Sequence, residues 1–176
     1  FLRHAGVDPL RDSLEMLRAS LPASLVELAL PDGDDIARRD FVLDLLMSHV
    51  VGPELGREVP LVLYDFPASQ AALARIRRDD PPVAERFEIF WRGIELANGF
   101  HELTDAGEQR RRFEADQARR GAEGRTAPPY DAQLIAAMEH GLPDCAGVAI
   151  GIDRLLMLML DLPTIGDVLA FDDLRA

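Results

Sequence analysis

The sequence is poor in residues that staple a chain or carry it through a membrane. It has one cysteine, Cys145, in 176 residues. No disulfide can close within the chain, which suits a reducing compartment, and the expected location is the cytoplasm. The longest apolar run, Leu155 to Leu160, falls far short of the roughly 20 residues a membrane span needs. Positive charge is also scarce: 19 Lys and Arg against 31 Asp and Glu give a net charge of −12. That field disfavours nonspecific attraction to nucleic acid or anionic membrane, although a local arginine cluster or a metal ion can still hold a polyphosphate. No Gly-Lys-Ser/Thr marks a phosphate loop, and there is no dinucleotide fingerprint. The four histidines (His4, His49, His101 and His140) show no metal-ligand spacing. There is no internal repeat.

What is present has ordinary globular balance, 48% apolar and 28% charged, in a length that suits one domain with a real core. Leu10, Leu14, Leu17 and Leu21 predict a helix from about Pro9 to Leu28, and a second is expected from Asp35 to about Val51. These form a helical insertion of about residues 9–57. Pro60 to Phe66 reads as a buried strand, Ser69 to Ala74 as short helical or irregular structure, and Arg75 to Pro82 as a polar connection. Glu85 to Trp91 alternates as a second strand. Arg92-Gly93 predicts a tight turn into a third, antiparallel strand starting at Ile94. Asp105, with Glu108 three residues on, predicts the start of a helix reaching about Arg120. Another helix is expected from Asp131 to His140, then a strand over Val148–Ile152 and a buried helix over Arg154–Leu160. Ile165 to Phe171 closes the domain. The pattern predicts an α/β (α+β) fold on a mainly antiparallel sheet flanked by helices.

Two stretches carry chemistry. The first, Gly93 to Asp105, holds Glu95, Asn98 and Glu102 among apolar neighbours. In a regular strand Glu95 and Glu102, seven apart, face opposite sides. A bulge or twist near Asn98-Gly99 would bring them together, and glycine suits such a bulge. Two carboxylates and an amide on one face suit an ammonium ligand or a divalent metal carrying phosphates, and an acid–base pair is a further option. The plainer reading makes the glutamates edge charges that block aggregation; apolar neighbours on both sides argue for a central strand, where an unpaired carboxylate is costly.

The second stretch is Gly147-Val-Ala-Ile-Gly-Ile-Asp-Arg154. Gly147, Ala149 and Gly151 let a ligand approach the backbone. Arg154 at a helix start opposes the helix dipole, which makes sense if an anion or flat ring sits before it. Asp153 is placed to cap the helix or orient Arg154.

Together these stretches look like a known family. Gly147 to Leu155 resembles motif 3 of class II aminoacyl-tRNA synthetases, and Glu95 to Asp105 resembles the preceding strand in the lysyl branch. Pro163 to Phe171 is similar to the ending of that branch. More narrowly, Phe66-Pro-Ala-Ser-Gln-Ala-Ala-Leu-Ala74, Val83 to Phe87 and Asp144 to Gly147 resemble the lysyl-tRNA synthetase paralogues that modify elongation factor P.

The resemblance implies a partial class II synthetase-like domain over residues 1–176, the C-terminal part of a catalytic domain. The family's motifs 1 and 2 do not appear in it. It implies ATP and Mg2+ as cofactors, with lysine or β-lysine activated as an adenylate and passed to a lysine of elongation factor P. Glu102 would hold magnesium and ATP. Glu95 and Asn98 would surround the amino acid and its ammonium, with Glu95 a second candidate metal ligand. Phe100 would wall the pocket, Gly151 would keep the strand open, and Arg154 would contact ATP. Ala149 stands where lysyl-tRNA synthetases usually have glycine, a position bearing on α- versus β-lysine selection. Motif 1 supplies the family's dimer interface, so the complete protein would be a homodimer, and the 176 residues alone would bind ATP weakly and be inactive. Two alternatives are a lysyl-tRNA synthetase core, which would bring tRNA as partner, and a noncatalytic nucleotide- or protein-binding domain on the same scaffold.

Overall fold

The computed structural model describes residues 1–171; the last five residues of the expected domain lie outside that range. The first third is helical: α1 (Leu2–Ala5), α2 (Leu14–Ala19), α3 (Ala23–Val26) and α4 (Asp35–Leu46). The single helix expected over Pro9–Leu28 is broken. Asp8 accepts from the Leu10 amide in a tight turn, Ser13 caps α2, and Pro22 separates α2 from α3. The helix expected over Asp35–Val51 is there, its last turn widened into a π-helical turn at Met47–Val51. Val7, Leu17, Leu21, Val42, Leu43 and Leu46 bury against one another to form the core of this layer. Each such side chain contributes about 1.5–3 kcal/mol by leaving water.

Then come β1 (Leu61–Pro67), β2 (Ile76–Arg77), β3 (Val83–Trp91) and β4 (Ile94–His101). These are followed by α5 (Ala106–Ala122), α6 (Ala132–Glu139), β5 (Ala146–Ile150) and α7 (Ile152–Met159). The sheet runs β1-β3-β4-β5 with β2 also on β3, and every pairing is antiparallel. The expected mainly antiparallel α/β architecture is therefore correct. β2 falls in what read as a polar connection; two residues are too few for an alternation to show. Arg92 and Gly93, at φ 52° and 76°, make the two-residue turn between β3 and β4. Asp105 caps α5 through the Glu108 amide, while the Glu108 carboxylate turns to Arg112. β5 and α7 each begin two residues earlier than expected. Asp153 thus lies inside α7, and Gly151 takes the cap position without a side-chain bond.

Among the described residues, no helix is long and apolar enough to cross a membrane.

Candidate active site on the β3-β4-β5 face

Register decides which side chains meet. Trp91 pairs with Ile94 and Phe90 with Glu95, but Ile89 pairs with Ala97 and Glu88 with Asn98. Leu96 is the extra residue of a bulge. It puts Glu95 on the face that also carries Asn98 and Phe100, and Glu102 continues the same alternation beyond the strand end. The expected bulge exists, but it lies at Leu96 rather than at Asn98-Gly99. Gly99 has another reason to be glycine. A Cβ there would stand 2.6 Å from Phe87 Cε1 and 2.8 Å from the Gly147 carbonyl oxygen on the opposite face of the sheet.

β5 supplies the small residues of the same face. Ala149 lies opposite Asn98, and Gly147 opposite Phe100. The Glu102 carboxylate occupies the space that a Cβ at Gly147 would fill. Arg154, in the first turn of α7, reaches back so that Nη1 donates to the Glu95 carbonyl at 2.8 Å. A Cβ at Gly151 would lie 3.5 Å from Arg154 Cδ, an ordinary van der Waals contact, so that reach does not itself require glycine there. The structure thus puts the named residues Glu95, Asn98, Phe100, Glu102, Ala149, Gly151 and Arg154 on or beside one face.

It also adds Glu88, which the sequence reading treated only as part of a strand alternation. Glu88 is 7% exposed. Its Oε1 accepts from Arg86 Nη2 at 2.5 Å and from Asn98 Nδ2 at 3.3 Å. Burial pushes its carboxyl up, Arg86 opposes that shift, and Glu95 adds to it, so the two glutamates share one electrostatic field. Arg86 is itself held over the Phe66 ring at 4.5 Å and the Phe100 ring at 6.0 Å. Asn98 Oδ1 is buried and has no hydrogen-bond partner among the described residues, so it can accept from a ligand N–H. Counting back from the Arg92-Gly93 turn puts Glu88 opposite Asn98 only when one bulged residue is inserted, and the sequence does not mark that residue.

On the other face, His101 bridges two carboxylates. Its Nδ1 lies 2.9 Å from Glu85 Oε2 and its Nε2 2.5 Å from Asp144 Oδ1. Arg75 sits at 3.1 Å from Glu85. This tie joins β3, the end of β4 and the loop before β5. The adjacent Glu102 amide donates to the Cys145 carbonyl at 3.0 Å. The loop is thereby fixed beside Glu102.

The donors fit magnesium in one manner. Among the described residues, no group of three or more His, Cys, Asp or Glu side chains could hold a metal ion. Mg2+ is commonly held by one or two carboxylates together with substrate phosphates, and the carboxylates of this face suit that mode.

The model of a family described as tRNA synthetases class II (D, K and N) matches residues 44–175, and the chain belongs to that family. Among curated relatives, it is 49% identical over 177 aligned positions to the elongation factor P–(R)-β-lysine ligase of Edwardsiella ictaluri. The identity is 48% to the ligase of that name from Pectobacterium carotovorum and 49% to that from Salmonella typhi. Each alignment covers all of this chain and 53% of the relative, so the chain spans about half the length of the curated relatives it matches.

Proposed function

We propose that the protein containing this chain is an ATP-dependent ligase that activates (R)-β-lysine or lysine and transfers it to a lysine of elongation factor P. The observation that carries this reading is the shared face of Glu95, Asn98 and Glu102, with Arg154 anchored on the Glu95 carbonyl. Full-length coverage of the chain by the ligases gives it direction.

In the first step a substrate carboxylate oxygen attacks the α-phosphorus of ATP, and the bond to the β-phosphate breaks. In the second, an acceptor amine attacks the acyl carbon, the bond to AMP breaks, and the amine proton goes to solvent. Magnesium would supply charge neutralisation at the phosphates. Glu102 would hold that phosphate-borne metal, with Glu95 a second ligand or, together with Asn98, the counterpart of the substrate ammonium. Asn98 Oδ1, buried and without a hydrogen-bond partner among the described residues, would accept from that ammonium. Phe100 would wall the substrate, and the Ala149 methyl would narrow the space opposite Asn98. Gly151 would admit the nucleotide, and Arg154 would face its anionic or planar part. Little covalent work falls to the protein; positioning and fixed charge do the rest.

The test is mass spectrometry of elongation factor P after incubation with the full-length protein, ATP and each amino acid. A single added β-lysyl mass supports the reading. Charging of tRNA in place of elongation factor P would favour the synthetase alternative.

A further inference from the structure

A cavity of about 1170 Å3 lies between α4, α5 and the β1 side of the sheet. It exceeds the usual volume of a small-ligand pocket and has a wall in common with the site. Glu88 lines it and also receives the Asn98 side chain. Asp40 and Asp44, one turn apart on α4, line it as well. Both are held in place: Ser69 Oγ donates to Asp40 at 2.7 Å, and Gln70 Nε2 to Asp44 at 3.2 Å. Ser69 and Gln70 belong to the stretch Phe66 to Ala74, which no proposed activation step uses. Gln109, 2% exposed, lines the same cavity, and its Nε2 has no hydrogen-bond partner among the described residues. A buried amide donor of that kind is costly unless something accepts from it.

We infer that this cavity is a docking site for a primary ammonium on a flexible apolar stem, the lysine side chain of the acceptor protein, with Asp40 and Asp44 as its counter-charges. The inference rests on the ligase reading. The ammonium carries three donors and no acceptor, which matches carboxylates already fixed by other donors. Leu43, Met47, Phe66 and Phe113 offer apolar surface for the methylene stem. Gln109 Nε2 can donate to a main-chain carbonyl of the acceptor. Burial pushes both aspartates up and Asp40 adds to the shift of Asp44, a repulsion that a cation relieves. Of the cations near the two aspartates, Arg119 is turned to Asp116, Arg39 to the Asp12 and Pro9 carbonyls, and Arg86 to Glu88. The amino acid being activated carries two amines of its own, of which Glu95 and Asn98 would face one; an effect on the KM for elongation factor P rather than on the KM for that amino acid distinguishes the acceptor lysine.

The experiment uses the full-length protein with Asp40→Asn and Asp44→Asn combined, a pair that preserves shape and side-chain hydrogen bonding. Amino-acid-dependent ATP–pyrophosphate exchange monitors activation and folding; transfer to elongation factor P monitors docking. The expected result is exchange within about twofold of wild type and a KM for elongation factor P raised about tenfold or more, ~1.4 kcal/mol. In the wild type, Nα-acetyl-lysine amide should inhibit transfer while its norleucine counterpart, which lacks the amine, should not. Unchanged transfer kinetics, or a rise confined to the KM for the activated amino acid, would overturn the assignment. Absence of exchange in the wild type would instead defeat the ligase reading itself.

Discussion

The Glu102 carboxylate lies in the space that a side chain at Gly147 would occupy. Gly147 therefore fixes where that acid sits, and the conflict it avoids is with the end of a flexible side chain. Gly147→Ala should displace Glu102 while costing little stability, below the ~1–3 kcal/mol typical of overpacking. The expected outcome is an unchanged melting temperature with ATP-dependent exchange down about tenfold or more, ~1.4 kcal/mol in the barrier. A variant that exchanges normally would show that the position of Glu102 does not matter.

Gly99 serves the fold instead. Its missing Cβ makes room for the Phe87 ring and the Gly147 carbonyl oxygen. Gly99→Ala should cost about 1–3 kcal/mol in urea unfolding. Combining it with Phe87→Leu should give less than the sum of the two single losses, since both changes act on one contact. Simple additivity would place the strain elsewhere.

Arg154→Lys keeps the charge but loses the planar fork that both reaches the Glu95 carbonyl and faces outward. The KM for ATP should rise about tenfold, ~1.4 kcal/mol, with stability changed by no more than roughly 0.5 kcal/mol because the residue is exposed. An unaltered KM would remove Arg154 from nucleotide binding.

The pH dependence has a definite sign. Burial pushes Glu88, Asp40 and Asp44 upward. The folded state then holds protons that the unfolded state has released. This contribution to stability is fully present below the ordinary carboxylate range, about pH 4, and is lost as pH rises through the raised folded values. Glu88→Gln should therefore be more stable relative to wild type at neutral pH than at pH 4. Asp144 runs the other way. Its bond with His101 holds it below the ordinary range, so its contribution is present at neutral pH and is lost as pH falls through the depressed value. Denaturant titrations of wild type, Glu88→Gln and Asp144→Asn across pH check both signs; parallel curves would contradict them.

The sheet was legible because its strands alternate and its hairpin turn has a local signature at Arg92-Gly93. The helical layer was less so. A leucine period that continues across Ser13 and Pro22 reads as one helix, although capping and the proline ring divide it. On the candidate face, Glu95, Asn98, Glu102 and Arg154 are singled out by residue type and family likeness. Glu88 is not, because its meeting with Asn98 depends on one bulged residue in the partner strand. A bulge leaves no fixed mark in a single sequence, and Gly99 is glycine for its contact with Phe87 and the Gly147 carbonyl rather than for the bulge, which lies at Leu96. Asp40, Asp44 and Gln109 come together only through packing between elements far apart in the chain.

The most direct test of the proposed activity is amino-acid-dependent ATP–pyrophosphate exchange by the full-length protein, wild type against Glu102→Gln. The expected result is exchange stimulated by (R)-β-lysine or lysine in the wild type and reduced about 100-fold or more, ~2.7 kcal/mol, by removal of that one charge. Exchange that survives in Glu102→Gln, or none in the wild type with either amino acid, would contradict the assignment of the β3-β4-β5 face as the activation site.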